Sequence, residues 1–198
     1  MSETSTSQDP VSYYIDHTIY TGRPADTTDR LPKEIRTYDL LDSLGITYAR
    51  ADHDTLPTME ACQEVGNLLG IEICKNLFLR NTQKTAFYLL ILPGSKKFKT
   101  AALSKQIGSA RLSFAEPEFM EQYLNITPGS VSVLGLMNDP ENKVRLLIDK
   151  DILKNHPYFG CHPCINTSSL KFRTEDLLNK ILPAIHHDYT MVDLPYAE

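Results

Sequence analysis

Apolar side chains recur at helical spacing in several segments of the chain. The first segment begins at Pro32, which suits the first turn of a helix, and ends at Gly45, which favours a helix C-terminus. The second follows Thr58, a typical N-cap residue, and closes at Gly70. The same period predicts three further helices, over residues 100–107, 116–124 and 174–181. We expect Pro183 to stop the last of these, because proline cannot continue the hydrogen-bond ladder of a helix.

Between the predicted helices, unbroken or alternating apolar runs predict β-strands. Residues 71–79 and 85–92 flank a short polar turn, which is typical of a β-hairpin, and the unbroken run 87–92 indicates a strand buried on both faces. The same reasoning predicts two further hairpins, 131–136 with 144–149 and 158–165 with 169–172, and two single strands, 46–53 and 111–114. Hairpins this frequent argue against a doubly wound parallel sheet. The pattern predicts the α+β class, with a mixed, mostly antiparallel curved sheet (a pseudo-barrel) surrounded by helices.

Composition divides the chain into three parts. Residues 1–30 are rich in Ser, Thr and Asp, so we expect a partly flexible N-terminal extension. Residues 31–185 carry the periodic segments and have the size of one domain, while residues 186–198 are predicted to be a C-terminal tail. No run approaches the ~20 apolar residues that a membrane span needs. Together with the absence of a basic-then-apolar N-terminus, this predicts a cytoplasmic protein with no membrane partner.

The charge is unevenly distributed along the chain. The net charge of -5 argues against non-specific coating of nucleic acid, and no DNA partner is expected. Residues 80–111, however, contain no Asp or Glu and seven Lys or Arg residues. Such a stretch could form a basic face that docks one folded RNA end, or it could be an ordinary solvated surface. Charge alone does not separate these two interpretations.

Four cysteines are too few and too irregularly spaced for a disulfide framework, and we interpret them as reduced thiols. Cys161 and Cys164 form one Cys-x-x-Cys, but Cys62 and Cys74 are not a second zinc-ligand pair at suitable spacing. The sequence also has no phosphate-binding loop, no Gly-x-Gly-x-x-Gly and no Gly-x-Ser-x-Gly. We therefore predict no metal and no cofactor.

A lysine stands inside an apolar strand at position 75. Burying an ammonium group costs several kcal/mol unless it finds a partner, so the placement of Lys75 needs an explanation. Strand alternation puts Lys75 on one face with Leu77, whereas Asn76 points to the other face. A functional amine is one interpretation. A lysine on an edge strand that extends to water is the other.

Two further motifs could carry chemistry. The small residues 128–132 could direct backbone N–H groups at an oxyanion or a ribose hydroxyl, although an ordinary turn explains them as well. His162 lies between Cys161 and Pro163 and could position a substrate or a water molecule through its ring nitrogens. A half-buried strand histidine with one satisfied hydrogen bond is equally compatible with the spacing.

Several strings of residues, in order, resemble the prolyl-tRNA editing proteins of the YbaK/ProX family, which are freestanding relatives of the insertion domain of bacterial prolyl-tRNA synthetase. The resemblance runs over residues 31–183. The strings are Cys74-Lys75-Asn76-Leu77-Phe78-Leu79, Leu92-Pro93-Gly94, Leu103-Ser104-Lys105-Gln106-Ile107-Gly108, Arg111-Leu112-Ser113-Phe114-Ala115, Pro128-Gly129-Ser130-Val131-Ser132 and Cys161-His162-Pro163-Cys164. The fold that this resemblance implies is the aminoacyl-tRNA synthetase-associated editing domain.

The resemblance implies hydrolysis of alanine from mischarged alanyl-tRNA(Pro), without metal or covalent enzyme intermediate. A synthetase pocket that admits proline rejects the smaller alanine by only about 1–3 kcal/mol per missing methylene, so a second, smaller sieve is useful. The implied partners are the acceptor end of tRNA(Pro) carrying alanine and prolyl-tRNA synthetase. Two alternatives stay open: a deacylase for another small amino acid, such as cysteinyl-tRNA(Pro), and a non-catalytic module that binds tRNA or the synthetase.

The resemblance also implies roles for individual residues. Lys75 would hold the terminal nucleotide or the aminoacyl end, and His162 matches the family histidine near the pocket. A Gly-x-x-x-Pro loop, whose amides position the ester and the water, maps onto residues 129–133, but Val133 stands where proline is usual and would make the loop less rigid. The implied catalytic residues are Lys75, His162 and Gly129. The implied substrate-binding residues are Asn76, Ser130, Val131, Ser132, Val133, Gly160 and Cys161.

Overall fold

A computed structural model describes residues 12–196, so the first eleven residues of the predicted extension lie outside it. The strands are β1 (Tyr20–Thr21), β2 (Ala49–Asp52), β3 (Cys74–Asn81), β4 (Phe87–Pro93), β5 (Leu112–Phe114), β6 (Val144–Asp149), β7 (Tyr158–Cys161), β8 (Ser168–Arg173) and β9 (Tyr189–Val192). The α-helices are α1 (Pro32–Ser43), α2 (Met59–Leu69), α3 (Thr100–Ile107), α4 (Pro117–Leu124), α5 (Lys150–Asn155), α6 (Thr174–Asp176) and α7 (Leu182–Ala184). A 3-10 helix spans Val133–Asn138, and a π-helical turn, Leu177–Ile181, joins α6 to α7.

The strands form two sheets. The four-stranded sheet has the order β1-β2-β8-β7 and is antiparallel throughout. The five-stranded sheet has the order β5-β3-β4-β6-β9, in which β5, β3 and β4 are antiparallel while β4, β6 and β9 run parallel. The predicted α+β class is confirmed, although two sheets replace the single curved sheet that the sequence pattern predicted.

The helix boundaries follow local chemistry where the sequence predicted them. The Thr58 hydroxyl accepts a hydrogen bond from the Ala61 amide at 3.2 Å and begins α2. Gly70 ends α2 with φ +66°, a left-handed conformation that glycine adopts at no steric cost. The hairpin of β3 and β4 is confirmed, and every residue of β4 is buried.

The predicted hairpin of residues 131–136 with 144–149 is wrong. Val133–Asn138 forms a buried 3-10 helix, started by the Ser132 hydroxyl, which accepts a hydrogen bond from the Leu134 amide at 3.2 Å. The Asp139 carboxylate then accepts from the Lys143 and Val144 amides, and this turn directs β6 into a parallel pairing with β4. A short apolar run does not distinguish a buried helical turn from a strand, which explains the error.

The last helix also differs from its prediction. It continues past Pro183 to Ala184 instead of stopping there. Pro183 lies just after the π-helical turn, inside one continuous helical segment. The predicted domain limits at residues 31 and 185 stay a prediction. Strands β1 and β9 lie outside those limits and nevertheless pair with β2 and β6.

The two faces of β3 contribute to different parts of the core, as strand alternation predicts. Cys74 and Phe78 pack into the main core, where the helices and both sheets meet. Leu77 and Leu79 face a second apolar cluster, which α3 covers through Leu103. Lys75 therefore lies on the face of β3 that α3 covers, and Asn76 lies on the face toward the main core. Across residues 12–196, every helix is too short or too polar to cross a bilayer.

Candidate active site

A small cavity of about 50 Å³ opens where the start of β3 meets α2, β7 and β8. Its walls combine apolar side chains, thiols and a few polar groups. They are formed by Leu56, Cys62, Ile71, Ile73, Cys74, Asn76, Gly160, Cys161, His162, Ser169 and Leu170. Four of the residues predicted from the sequence, Asn76, Gly160, Cys161 and His162, are therefore brought together.

His162 presents one ring nitrogen as an acceptor. Its Nδ1 lies 2.8 Å from the Ser168 carbonyl oxygen, so Nδ1 carries the proton and donates this bond. Its Nε2 forms no hydrogen bond with any residue of the described part of the chain. Burial, and to a smaller extent the nearby His53, lower the pKa of His162 to about 4. At neutral pH the ring is therefore uncharged, with a free lone pair on Nε2.

The carbonyl that orients His162 belongs to a fixed backbone segment. The Ser168 hydroxyl donates to Asp52, which Arg30 and Arg50 also contact, at 2.9 Å and 3.1 Å. Burial alone would raise the pKa of Asp52, yet the hydrogen bonds from Arg30, Ser168 and Arg50 lower it. Asp52 therefore stays ionised and anchors the start of β8 beside the cavity.

A second histidine, His53, packs against His162 and is linked to it through Ser169. His53 bonds the Asp54 carbonyl through Nδ1 at 2.8 Å, which leaves its Nε2 to accept from the Ser169 hydroxyl at 2.9 Å. The Ser169 oxygen also lies 3.5 Å from Nδ1 of His162, and the two imidazole rings meet edge to face at 6.0 Å. Burial lowers the pKa of His53 as well, so this pair stays neutral.

The second acceptor belongs to Asn76, another wall residue of the cavity. Its side-chain Nδ2 donates to the Cys74 carbonyl at 3.3 Å. Its Oδ1 is buried and has no partner among residues 12–196. An unpaired buried polar atom costs about 1–3 kcal/mol, so Oδ1 would be stabilised by any group that donates a hydrogen bond to it.

The thiol groups around the cavity are protonated at neutral pH, so they form part of its wall and do not act as nucleophiles. Cys62, Cys74 and Cys161 line the cavity, and Cys164 is buried nearby. Burial raises the pKa of Cys62 and Cys161, and it raises the pKa of Cys74 and Cys164 to about 12. The described part of the chain groups no three His, Cys, Asp or Glu side chains as metal ligands.

Lys75 lies outside this cavity. Its Nζ donates to the Lys96 carbonyl at 2.7 Å, and its side chain lines a wider groove together with Glu60, Glu72 and Ser95. Residues 71–73 form the wall between the groove and the cavity. The structure therefore does not bring Lys75 together with His162, although the two sites are neighbours.

The glycine loop lies next to the cavity but contributes no side chain to its wall. Gly129 has φ +89°, and a Cβ there would come within 3.4 Å of Asn166 Nδ2. Asn166 accepts in turn from the Leu56 amide at 3.5 Å, and Leu56 does line the cavity. The Ser130 amide is already bonded to the Thr127 carbonyl, so it is not available to a substrate.

The rest of the loop is largely turned into the protein. Ser130, Ser132 and Val133 are buried and Val131 is half-buried. The Ser132 hydroxyl also lies beside the Cys161 thiol. Val133 starts the 3-10 helix inside the core, where packing fixes the loop that proline rigidity would otherwise fix.

Sequence reasoning missed several wall residues. Leu56, Cys62, Ile71, Ile73 and Ser169 come from segments that approach only in the folded chain. The predicted hairpin of residues 158–165 with 169–172 could have indicated Ser169. Its neighbour Leu170 pairs with Cys161, so Ser169 lies close to His162. Cys62 could not be predicted as a wall residue, because its position depends on how α2 packs against the sheets.

Comparison with known proteins supports the resemblance seen in the sequence. The family model of the aminoacyl-tRNA editing domain matches residues 53–180. The prolyl-tRNA editing protein ProX of Acetoanaerobium sticklandii is 32% identical over 154 residues, which cover 78% of this chain and 93% of that protein. The prolyl-tRNA synthetase associated domain-containing protein 1 of Bos taurus is 28% identical over 142 residues, covering 70% of this chain and 82% of the relative.

Solved structures share the fold at lower identity. A structure described as a candidate trans-editing enzyme for prolyl tRNA synthetase has a TM-score of 0.60 at 17% identity, covering 84% of this chain and 99% of its own. A scaffold protein used for epitope grafting by computational design has a TM-score of 0.62 at 17% identity, covering 85% and 99%. The matched family model, the similar relative and the shared fold agree: this chain belongs to the aminoacyl-tRNA editing domain family.

Proposed function

We propose that this protein is a trans-editing deacylase that hydrolyses the ester of mischarged alanyl-tRNA(Pro) to alanine and tRNA(Pro). The observation that carries the proposal is a small cavity whose wall residues Asn76 and His162 each carry an acceptor, Oδ1 and Nε2, that has no partner among residues 12–196. The family match and the name of the Acetoanaerobium sticklandii relative, a prolyl-tRNA editing protein, suggest the substrate class.

The chemistry of the cavity suits an aminoacyl group. An α-ammonium group carries three N–H donors and no acceptor, like a lysine ammonium. Asn76 and a neutral His162 offer acceptors without adding a positive charge that would repel the ammonium. Because burial lowers the pKa of His162 to about 4, the ring keeps this role at neutral pH.

The size of the cavity favours the smallest side chains. A water molecule needs about 10–15 Å³ of such volume, so the space of about 50 Å³ holds only a few small groups. The methyl group of alanine fits that space, whereas the pyrrolidine ring of proline would have to displace Ile71 or Gly160. Overpacking a rigid wall typically costs about 1–3 kcal/mol. Exclusion by size would therefore protect correctly charged prolyl-tRNA.

The proposed reaction is the attack of water on the ester carbonyl carbon. The new C–O bond forms a tetrahedral intermediate, the bond to the ribose 3′ oxygen then breaks, and the water proton passes to that oxygen. A histidine with a pKa near 4 is too weak a base to remove the proton efficiently, so His162 positions donors and the substrate's ribose 2′-hydroxyl assists the transfer. The protonated thiols form no acyl intermediate.

Lys75 has a supporting part in this proposal. Its amine lies across the 71–73 wall from His162, at the side where the nucleotide would leave the cavity. One of its three N–H donors is used by the Lys96 carbonyl, and the others remain for a phosphate or a ribose oxygen. Lys75 would therefore hold the terminal nucleotide and not the reacting ester. Prolyl-tRNA synthetase is a further proposed partner, because the bovine relative is named for an association with that enzyme.

Incubation of the purified protein with alanyl-, cysteinyl- and prolyl-tRNA(Pro) tests the proposal. We expect rapid release of alanine, slower release of cysteine and no release of proline above the rate in buffer. The Cys161→Ala variant should retain turnover, since no step uses that thiol. Release of cysteine but not alanine would indicate that cysteinyl-tRNA(Pro) is the substrate. No release from any of the three would indicate a binding module without catalysis.

A further inference from the structure

The basic stretch of the sequence resolves into two groups of cations in the structure. Arg80 and Lys84 both pair with Glu116, at 2.7 Å and 2.8 Å, and Lys96 is buried among carboxylates with Asp149 at 2.8 Å. These three cations are all engaged in ion pairs. The remaining four, Lys97, Lys99, Lys105 and Arg111, are exposed, and in the described part of the chain they form no ion pair.

Two hydrogen bonds hold some of these free cations side by side. The Thr100 hydroxyl donates to the Leu112 carbonyl at 2.9 Å and accepts from the Leu112 amide at 3.2 Å. This joins the start of α3 to the start of β5. Lys99 and Arg111, the residues immediately before this junction on each chain segment, are therefore neighbours in space.

An exposed aromatic ring lies at the same edge. Phe114 is 61% exposed and meets the ring of Phe98 edge to face at a centroid distance of 5.7 Å. Phe98 stands between Lys97 and Lys99 in the chain. We call the four exposed residues Lys97, Lys99, Arg111 and Phe114 the basic edge. Free cations beside an exposed aromatic ring suit nucleic acid, because cations bind phosphates and aromatic rings stack on bases.

The basic edge is continuous with the proposed active site. Lys75 touches the Lys96 carbonyl, and Lys97 follows directly in the chain. Along β3, Cys74 lines the cavity, while Leu79 pairs with Phe114 of the basic edge. Five residues of strand separate these positions, or about 17 Å. At about 3.4 Å per stacked nucleotide, this distance spans about five nucleotides.

We propose that the basic edge binds the phosphate backbone of the acceptor stem while the charged 3′ end passes Lys75 and enters the cavity. This inference rests on the proposed function and adds the surface that the RNA occupies. It also predicts that affinity for tRNA falls steeply with salt concentration, because each neutralised phosphate releases counterions.

The test compares two double variants with the same change in net charge. Lys99→Glu/Arg111→Glu reverses the basic edge, and Lys143→Glu/Lys154→Glu reverses two exposed lysines that lie before β6 and in α5. Each variant is assayed on alanyl-tRNA(Pro) and on alanyl-adenosine, a short ester that reaches the cavity but not the basic edge. Lys99→Gln/Arg111→Gln is the milder variant should the charge reversal unfold the protein.

We expect the basic-edge variant to raise KM for alanyl-tRNA(Pro) by about 10- to 100-fold and to reduce the slope of log KM against log salt by about 1.5–2. Turnover of alanyl-adenosine should be unchanged, and the control variant should match the wild type on both substrates. Equal losses on both substrates, or an unchanged KM for the tRNA, would overturn the inference. So would a variant that keeps tRNA affinity but no longer associates with purified prolyl-tRNA synthetase.

Filter binding of uncharged tRNA(Pro) keeps this inference separate from the proposed reaction. If the wild-type protein released no alanine from either substrate, the proposed reaction would be wrong. Binding of uncharged tRNA that weakens in the basic-edge variant and not in the control would still support the surface. Equal binding by both variants would refute it.

Discussion

Replacing Asn76 with leucine is expected to stabilise the fold and to impair the reaction. The Oδ1 atom of Asn76 is buried at the cavity without a partner in the described structure, which costs about 1–3 kcal/mol. Leucine has the same branched arrangement of side-chain heavy atoms, although it is larger, and it removes this cost. It also removes the hydrogen bond from Nδ2 to the Cys74 carbonyl at 3.3 Å, which contributes about 0.5–1.5 kcal/mol.

The balance is a gain of about 1 kcal/mol in the free energy of unfolding, which corresponds to an increase in Tm of about 2–4 °C for a chain of this size. The activity changes in the opposite direction. Loss of one hydrogen bond to the charged α-ammonium group is worth about 1.5–3 kcal/mol, or about 10- to 100-fold in kcat/KM. Thermal unfolding and deacylation of alanyl-tRNA(Pro) measure the two effects.

The protein contains a matched control for this variant. Ser104 Oγ in α3 is the other buried side-chain atom without a partner among residues 12–196. Ser104→Ala should therefore also raise Tm, but with unchanged deacylation, because α3 does not line the cavity. If Asn76→Leu lowered Tm by several degrees, Oδ1 would have a structural partner. If it left kcat/KM unchanged, the cavity would not bind the α-ammonium group through Asn76.

Three further predictions follow from the site. Burial lowers the pKa of His162 to about 4, against about 6.5 in the unfolded chain, so its contribution to stability is complete above about pH 6.5 and declines by about 3 kcal/mol as the pH falls to about 4. Urea unfolding at pH 7 and pH 4.5 measures this loss, and the free energy of unfolding should fall less between these pH values in His162→Gln than in the wild type. Gly160→Ala places a Cβ 2.1 Å from Cδ1 of Ile71, so it should cost about 1–3 kcal/mol and lower alanine release by closing the cavity, as melting and deacylation would show. Lys75→Ala should raise KM for alanyl-tRNA(Pro) by more than it lowers kcat, and an equal loss of kcat would place the amine at the ester.

Local sequence signals predicted most of the fold. Thr58 and Gly70 bound α2 because caps depend on the residue itself and its near neighbours. The parallel pairing of β4 with β6 was not predictable in the same way, because it depends on a connection of 50 residues (Pro93 to Val144) that includes a buried 3-10 helix. An apolar run that is buried on all sides carries no period that would identify it as helix or strand.

The sequence predicted only some of the cavity residues, because local signals do not show which segments meet in the folded chain. The two-residue period of β3 correctly put Lys75 and Asn76 on opposite faces, but it could not say which face meets the cavity. In the sequence, a lysine inside an apolar strand is a stronger signal than an ordinary asparagine. In the structure Asn76 lines the cavity with His162, while Lys75 lies across the wall, and the functional roles of these residues stay predictions. Wall residues such as Ile71 come from segments that only the tertiary fold brings together.

A crystal structure with alanyl-adenosine joined by an amide in place of the ester would test the central claim most directly. We expect the alanine methyl group to lie against Ile71 and Gly160, and the α-ammonium nitrogen to lie about 3 Å from Asn76 Oδ1. The adenosine should extend past Lys75 toward the basic edge. An ammonium group bound in the groove beside Glu60 and Glu72, with the cavity unchanged, would contradict the account.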